Sequence, residues 1–417
     1  MANKKISELV EETNPSPNDE LIFLDSSTAD LKKVKLKNLT ASDELSDIDF
    51  PFTVLGTTGE SSVLNLSSIS ANAYSTNSNI KSVHIGSNVK TIANSGFNRS
   101  TLSNVTFSEG VTSIGKRAFY MQSGTSFDQP IEFPDSLTSI GSAAFARNNI
   151  KGGIKLGQNT TNIFNAFNYC NGLTRVDIPD SVTNADSAFG YSSISTSKIG
   201  TGLSVTSIKN MFQSANNLTG VEVSENNPSA SSFSGMLFDK DQTKVTFVPR
   251  NVGKAIIPGT CKVIDSFAFY RCNITQLSLP DSLTGISSSA FYYSNLPSII
   301  NFPSGLKSLG DSALGYALAL DVNIPAGSIA NNAFYNSHMK TGTLGTGVTS
   351  VGTRAFGYCS SLVTLNCNVP LTSIGSGAFH QTSSNLVIHA RASDSTWTAG
   401  TNLNILGNSS VDVIKDL

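Results

Sequence analysis

The stretch VDIPDSVTNADSAFGYSSI, residues 176–194, decides the fold of this chain. Val176 and Ile178 alternate with Arg175 and Asp177, the pattern of a strand with one buried face. Pro179 has no amide hydrogen to donate and ends the pairing. Asp180 and Ser181 follow, with short side chains suited to capping a turn. A second short extended stretch comes next. Ala188 then admits close backbone approach, and the ring of Phe189 fills the centre of a coil.

The same frame recurs in IEFPDSLTSIGSAAFARNNI (131–150), LSLPDSLTGISSSAFYYSNL (277–296) and LGTGVTSVGTRAFGYCSSL (344–362). Its anchors are Phe97, Phe119, Phe145, Phe167, Phe189, Phe212, Phe269, Phe291, Leu314, Phe334, Phe356 and Phe379, with Tyr74 in the same slot of a degenerate first copy. Neighbouring anchors stand 20 to 26 residues apart, except from Phe212 to Phe269, where 57 residues hold an inserted segment. A dozen copies in one register mark a repeat architecture. One copy has too few large apolar residues to offset the entropy of ordering its backbone, so the copies must stack and share burial. The chain has 417 residues, and a single core stops growing near roughly 250–300. Extension by repetition resolves this. The expected fold is therefore mainly β, a solenoid of about thirteen stacked repeats around a parallel sheet.

The frame x-I-P-D-S-V-T-S-I-G-x-x-A-F-x-x-C/S-x-x-L resembles the BspA-like class of leucine-rich repeat over residues 63–390. The resemblance implies a curved, right-handed leucine-rich-repeat solenoid with 22–23-residue repeats. It also implies a surface or secreted adhesin or interaction protein rather than an enzyme. Residues 226–252 look like the family's hairpin insert, expected to protrude from the coil. Residues 391–417, with Trp397, look like its C-terminal cap.

Residues 1–42 lie outside the repeat. Leu21–Asp25 and Leu31–Leu39 read as a hairpin across a polar turn. The segment resembles the short anchors that open tailed-phage fibre and virion proteins, through K-I-S-E-L, a P-x-x-D-E-L-I spacer and a closing K-K-V-x-L-x-N-L. That resemblance implies attachment to other virion tail proteins through Ile6, Leu9, Leu21, Phe23, Val34, Leu36 and Leu39. Residues 43–62 read as a linker or as the solenoid's N-cap. The opening residues carry no apolar core of a signal peptide, so location on a virion is expected, with a bacterial cell surface as the alternative. The functional expectation is a tail fibre or receptor-binding protein whose solenoid grips a host-surface protein or glycan. The alternative is a cellular adhesin or interaction module. Oligomerisation is compatible with either, although no coiled-coil heptad supplies a trimerising element.

Lys and Arg number 28 against 30 Asp and Glu, a net charge of -2, so no strong field exists for nucleic acid to read. No apolar run approaches a membrane span. Cys170, Cys261, Cys272, Cys359 and Cys367 show no metal or disulfide spacing. Cys170, Cys272 and Cys359 each follow an anchor by three residues and read as small buried hydrophobes. The sequence lacks HExxH, GxSxG and phosphate-loop motifs, and no catalytic residue, metal or cofactor is expected. Glu109 and Asp135 occupy equivalent turns of adjacent copies, where a carboxylate pair for glycoside hydrolysis competes with plain turn capping. The turn-capping reading is preferred. The binding candidates are tyrosines one or two residues past an anchor: Tyr120, Tyr169, Tyr191, Tyr270, Tyr292, Tyr293, Tyr316, Tyr335 and Tyr358. Repetition places such rings along one ridge, where they offer large contact area at low entropy cost.

Overall fold

The computed structural model describes residues 20–25, 30–35, 52–56, 61–63, 66–121, 126–151, 153–319, 321–405 and 407–417. The chain divides into two compact units, Met1–Ala215 and Asn216–Leu417. Both are parallel β-solenoids with repeats about 22 residues apart, as the periodicity requires.

In the first unit, strands Glu20–Asp25 and Asp30–Lys35 form the expected antiparallel hairpin, with Leu21 opposite Val34. Strand Phe52–Gly56 runs antiparallel to Ile80–Ile85, which in turn pairs in parallel with Asn104–Phe107. An antiparallel strand at this end occupies the edge hydrogen bonds that a parallel stack would leave open. Beyond it the copies repeat in register. Ile69, Ile92, Ile114 and Ile140 stand one above another, and Ile154 stands beside Val176.

The anchors form the axis of the core. Tyr74, Phe97, Phe119, Phe145, Phe167, Phe189 and Phe212 stack ring on ring with centroids 4.9–6.1 Å apart. The glycine of the S-I-G element also has a steric reason. A Cβ on Gly115 would lie 2.6 Å from the amide nitrogen of Asn94 in the preceding rung. One copy departs from the expected extended second stretch, because Val205–Met211 is an α-helix. Ser204 caps it, accepting a hydrogen bond from the Ser207 amide, and Ile208 and Met211 bury one face at i, i+3 spacing.

The second unit opens with the inserted segment. Strands Ala230–Phe233, Met236–Asp239 and Lys244–Phe247 make an antiparallel meander, and the last pairs in parallel with Val263–Ile264. The insert does not protrude. Met236, Leu237, Phe238, Val245 and Val248 are all buried, because five large apolar side chains gain more in the core than in solvent. Parallel pairing then continues through Gly285–Ile286, Ser308–Leu309, Asp321–Ile329, Thr341–Val351, Thr364–Cys367 and Leu386–Ala390. Asn408–Lys415 adds one more parallel strand, on which Gly400–Ile405 folds back antiparallel. Trp397 is buried against this end and donates its indole hydrogen to the Val369 carbonyl at 3.0 Å.

Candidate functional site

The turn around each anchor has a regular hydrogen-bond logic that decides what faces solvent. In one such turn the amides of Ser95, Phe97 and Arg99 donate to carbonyls of the next rung, namely Lys116, Ala118 and Tyr120. The alternate amides of Gly96, Asn98 and Ser100 donate three residues back within the turn. This alternation puts the residues two before and two after the anchor in left-handed backbone. Tyr169 (φ 59°), Tyr191 (55°), Tyr293 (59°), Tyr316 (57°) and Tyr358 (60°) all occupy the later of these positions. A non-glycine residue there costs about 1–2 kcal/mol. The alanine and the anchor point inward and the flanking side chains point out.

The tyrosines gather into separate groups. In the second unit a continuous series runs along the turns. Tyr270 lies 6.5 Å from Tyr292, Tyr292 meets Tyr293 edge-on at 4.8 Å, and Tyr293 stacks on Tyr316 at 4.6 Å. Tyr335 follows at 6.0 Å, Tyr358 at 5.1 Å and His380 at 5.4 Å. In the first unit Tyr169 and Tyr191 stack nearly parallel at 4.6 Å, whereas Tyr120 stands apart from them beside Arg117. The same rings both pack between rungs and reach solvent, for Tyr169, Tyr191 and Tyr293 are 44–50% exposed.

Several ridge residues carry no signal in the repeat frame. The Arg271 guanidinium lies over Tyr270 at 5.2 Å and over Tyr293 at 5.6 Å. Arg147 lies 5.6 Å from the Tyr169 ring. Phe267, half exposed, meets Tyr270 edge-on. Burial, then the neighbouring phenols of Tyr316, Tyr293, Tyr270 and Tyr335, hold the Tyr292 hydroxyl protonated above its ordinary range.

The slot three past the anchor is a donor slot as well as a filler. The Cys170 thiol donates to the Phe145 carbonyl at 3.1 Å and the Cys359 thiol to Phe334 at 3.0 Å. Ser294 and Asn148 make the equivalent bonds to Phe269 and Phe119. Burial pushes the Cys170 and Cys272 thiols up to about 12 and Cys359 up to about 11.

Glu109 and Asp135 are engaged as turn caps across rungs. The Glu109 carboxylate accepts from the amides of Asp135 and Ser136, both at 2.9 Å, and Asp135 accepts from the Gln158 amide at 2.7 Å. Among the described residues, no group of three or more His, Cys, Asp or Glu could hold a metal ion, and no helix is long and apolar enough to cross a membrane. Of the expected anchor residues, Leu21, Phe23 and Val34 stand on the hairpin, while Ile6, Leu9, Leu36 and Leu39 lie outside the described residues.

Residues 31–126, 57–165, 153–253, 242–327 and 327–395 match the BspA type leucine rich repeat region. No curated protein matches the chain. Among solved structures, a leucine-rich repeat protein from Eubacterium ventriosum is 19% identical over 78% of this chain and 87% of that one, with a TM-score of 0.46. The pneumococcal vaccine antigen PcpA is 19% identical over 86% of each chain, with a TM-score of 0.42. A leucine rich cell surface protein from Faecalibacterium prausnitzii is 20% identical over 66% of this chain and 82% of that one, with a TM-score of 0.43.

Proposed function

Because this chain belongs to the BspA-type leucine-rich repeat family, we propose that it is a surface adhesion or interaction module whose aromatic ridge is the binding face. The observation that carries this reading is the ring series Tyr270, Tyr292, Tyr293, Tyr316, Tyr335 and Tyr358. Tyr293, Tyr316 and Tyr358 stand in backbone that glycine would occupy more cheaply. Large rigid rings with a polar tip suit an interface, because they bring contact area with few rotors to freeze. A net charge of -2 leaves recognition to rings and hydrogen bonds rather than to a long-range field. The partner is a surface protein or glycan of another cell.

The test is binding of the full chain to arrays of glycans and surface proteins, compared with a Tyr293→Ser, Tyr316→Ser, Tyr335→Ser variant. Loss of the bound signal with an unchanged thermal transition supports the ridge. Equal binding by both proteins refutes it.

A second reading makes the chain a virion protein, tethered to other tail proteins by residues 1–42 and binding a host receptor through the solenoid. It rests on the phage-anchor resemblance of that segment. Mass spectrometry of purified virus particles from the source culture separates the two. Stoichiometric copies establish the tether, and absence leaves the cellular adhesin.

A further inference from the structure

Beside the last ring of the second unit's series lies an open groove of about 540 Å³, lined by Asn331, Asn332, Thr353, Arg354, Ser376, Gly377, His380 and Gly407. Its volume falls within the range of small-molecule sites, roughly 300–1,000 Å³. We propose that it is a subsite for a carboxylate-bearing sugar, an inference that deepens the adhesion reading and rests on it.

The groove exists because one side chain is missing. The position two before the anchor carries Ser289, Ser312, Asn332 and Arg354 in successive rungs, all in left-handed backbone. The next rung has Gly377 there, at φ 64°. Packing does not require glycine, since a Cβ on Gly377 would meet nothing closer than the Arg354 side chain at 3.6 Å. Nor does the backbone, because non-glycine residues hold the same conformation in four preceding rungs. Gly407, at φ 94°, packs directly on Gly377, for a Cβ there would lie 3.0 Å from the Gly377 Cα. The missing side chain at Gly377, beside Arg354 and His380, thus leaves the recess open.

The lining selects the ligand. Arg354 is exposed and forms no ion pair among the described residues, and no Asp or Glu lines the groove. A lone guanidinium suits one carboxylate, which it can grip through two parallel hydrogen bonds. The exposed hydroxyls of Thr353 and Ser376 suit the hydroxyls of a sugar ring, while the Asn332 amide nitrogen donates to Asp311 Oδ1 at 3.5 Å and leaves its oxygen to accept. The Asn331 Oδ1 already accepts the Thr353 amide at 2.8 Å, which aims its amide nitrogen elsewhere. His380 packs edge-on against Tyr358, so the aromatic series leads directly to the groove and can extend contact to a second sugar.

The experiment is calorimetric titration of the full chain with a sialylated and a glucuronate-containing oligosaccharide, each also as its neutral methyl ester, and with a glutamate-rich peptide. At least one free acid binds, and its ester binds at least about tenfold more weakly, the loss expected when a charge-assisted bond is removed. Which acid binds tells sialic from uronic sugars. Arg354→Gln reproduces the ester's loss. Gly377→Asn, which keeps left-handed backbone accessible while filling the recess, abolishes binding. Equal affinity for acid and ester, no saccharide binding, preference for the peptide, or indifference to both substitutions overturns the proposal. Saccharide binding that survives in the tyrosine variant, with array binding unchanged, would sink the ridge and leave the groove. Array binding lost on removing the tyrosines, with no saccharide binding by the native chain, would sink the groove alone.

Discussion

The rings of Tyr293 and Tyr316 stack 4.6 Å apart, although both residues sit in left-handed backbone at φ 59° and 57°. Stacked pairs contribute about 0.5–1.5 kcal/mol beyond burial, comparable to the conformational penalty. Tyr316→Gly loses ring contacts to Tyr292, Tyr293 and Tyr335, and relief of the backbone offsets part of this, so the net cost is about 1–2 kcal/mol. Partner binding falls in the same variant. Urea denaturation read beside the array signal checks both halves.

The ring column responds very differently. Phe167 is fully buried between Phe145 at 5.5 Å and Phe189 at 5.6 Å. Phe167→Ala removes contacts to both neighbours and destabilises the first unit by about 3–5 kcal/mol. Coupling in a double mutant with Phe145→Ala, which shares a face with it, is expected to exceed coupling with the more distant Phe97→Ala. Chemical denaturation of the wild type, the three single mutants and the two double mutants measures it.

Cys170 offers a test in which two substitutions differ in size. Cys170→Ser keeps a donor for the Phe145 carbonyl, as Ser294 does for Phe269, and costs little. Cys170→Ala removes one of two donors to that carbonyl, which the Asn148 amide still reaches at 2.7 Å, and costs about 0.5–1.5 kcal/mol. Thermal unfolding of the two variants separates the hydrogen bond from the packing.

The same thiols predict a pH dependence. Folding raises Cys170 and Cys272 from 9.0 to about 12 and Cys359 to about 11. A raised folded value means that the native state holds the proton more tightly. This contribution is complete below about pH 9 and is lost as pH rises towards 11–12. Unfolding midpoints at pH 8 and pH 10.5 should drop in that order. Alkylation by iodoacetamide at pH 8 should await unfolding.

Glu109→Gln tests the capping role. The carboxylate accepts two amides of the next rung, one on each oxygen, whereas a carboxamide has a single oxygen and can keep only one of these bonds. A loss on the order of 1 kcal/mol is expected. Stability measured by urea titration decides. An unchanged midpoint would leave the two hydrogen bonds without energetic weight.

The sequence by itself determined the repeat, its register and the inward column, because these follow from alternation, proline placement and a fixed interval between rings. Phe97 through Phe379 and the tyrosine slots could be read without coordinates. Only the tertiary structure decided what one rung does to the next. It supplied the left-handed turns at Tyr169 and Tyr293, the thiol bond from Cys170 to Phe145, and Arg271 over two rings. It turned the insert at Met236–Asp239 into core and gave Val205–Met211 a helix. It also brought Gly377 and Gly407 together at the groove, residues 30 positions apart whose meeting no local pattern announces. The physical reason is common to all of these. Local periodicity reports which side of the chain is buried, whereas hydrogen-bond partners and recesses depend on neighbours that stacking brings together.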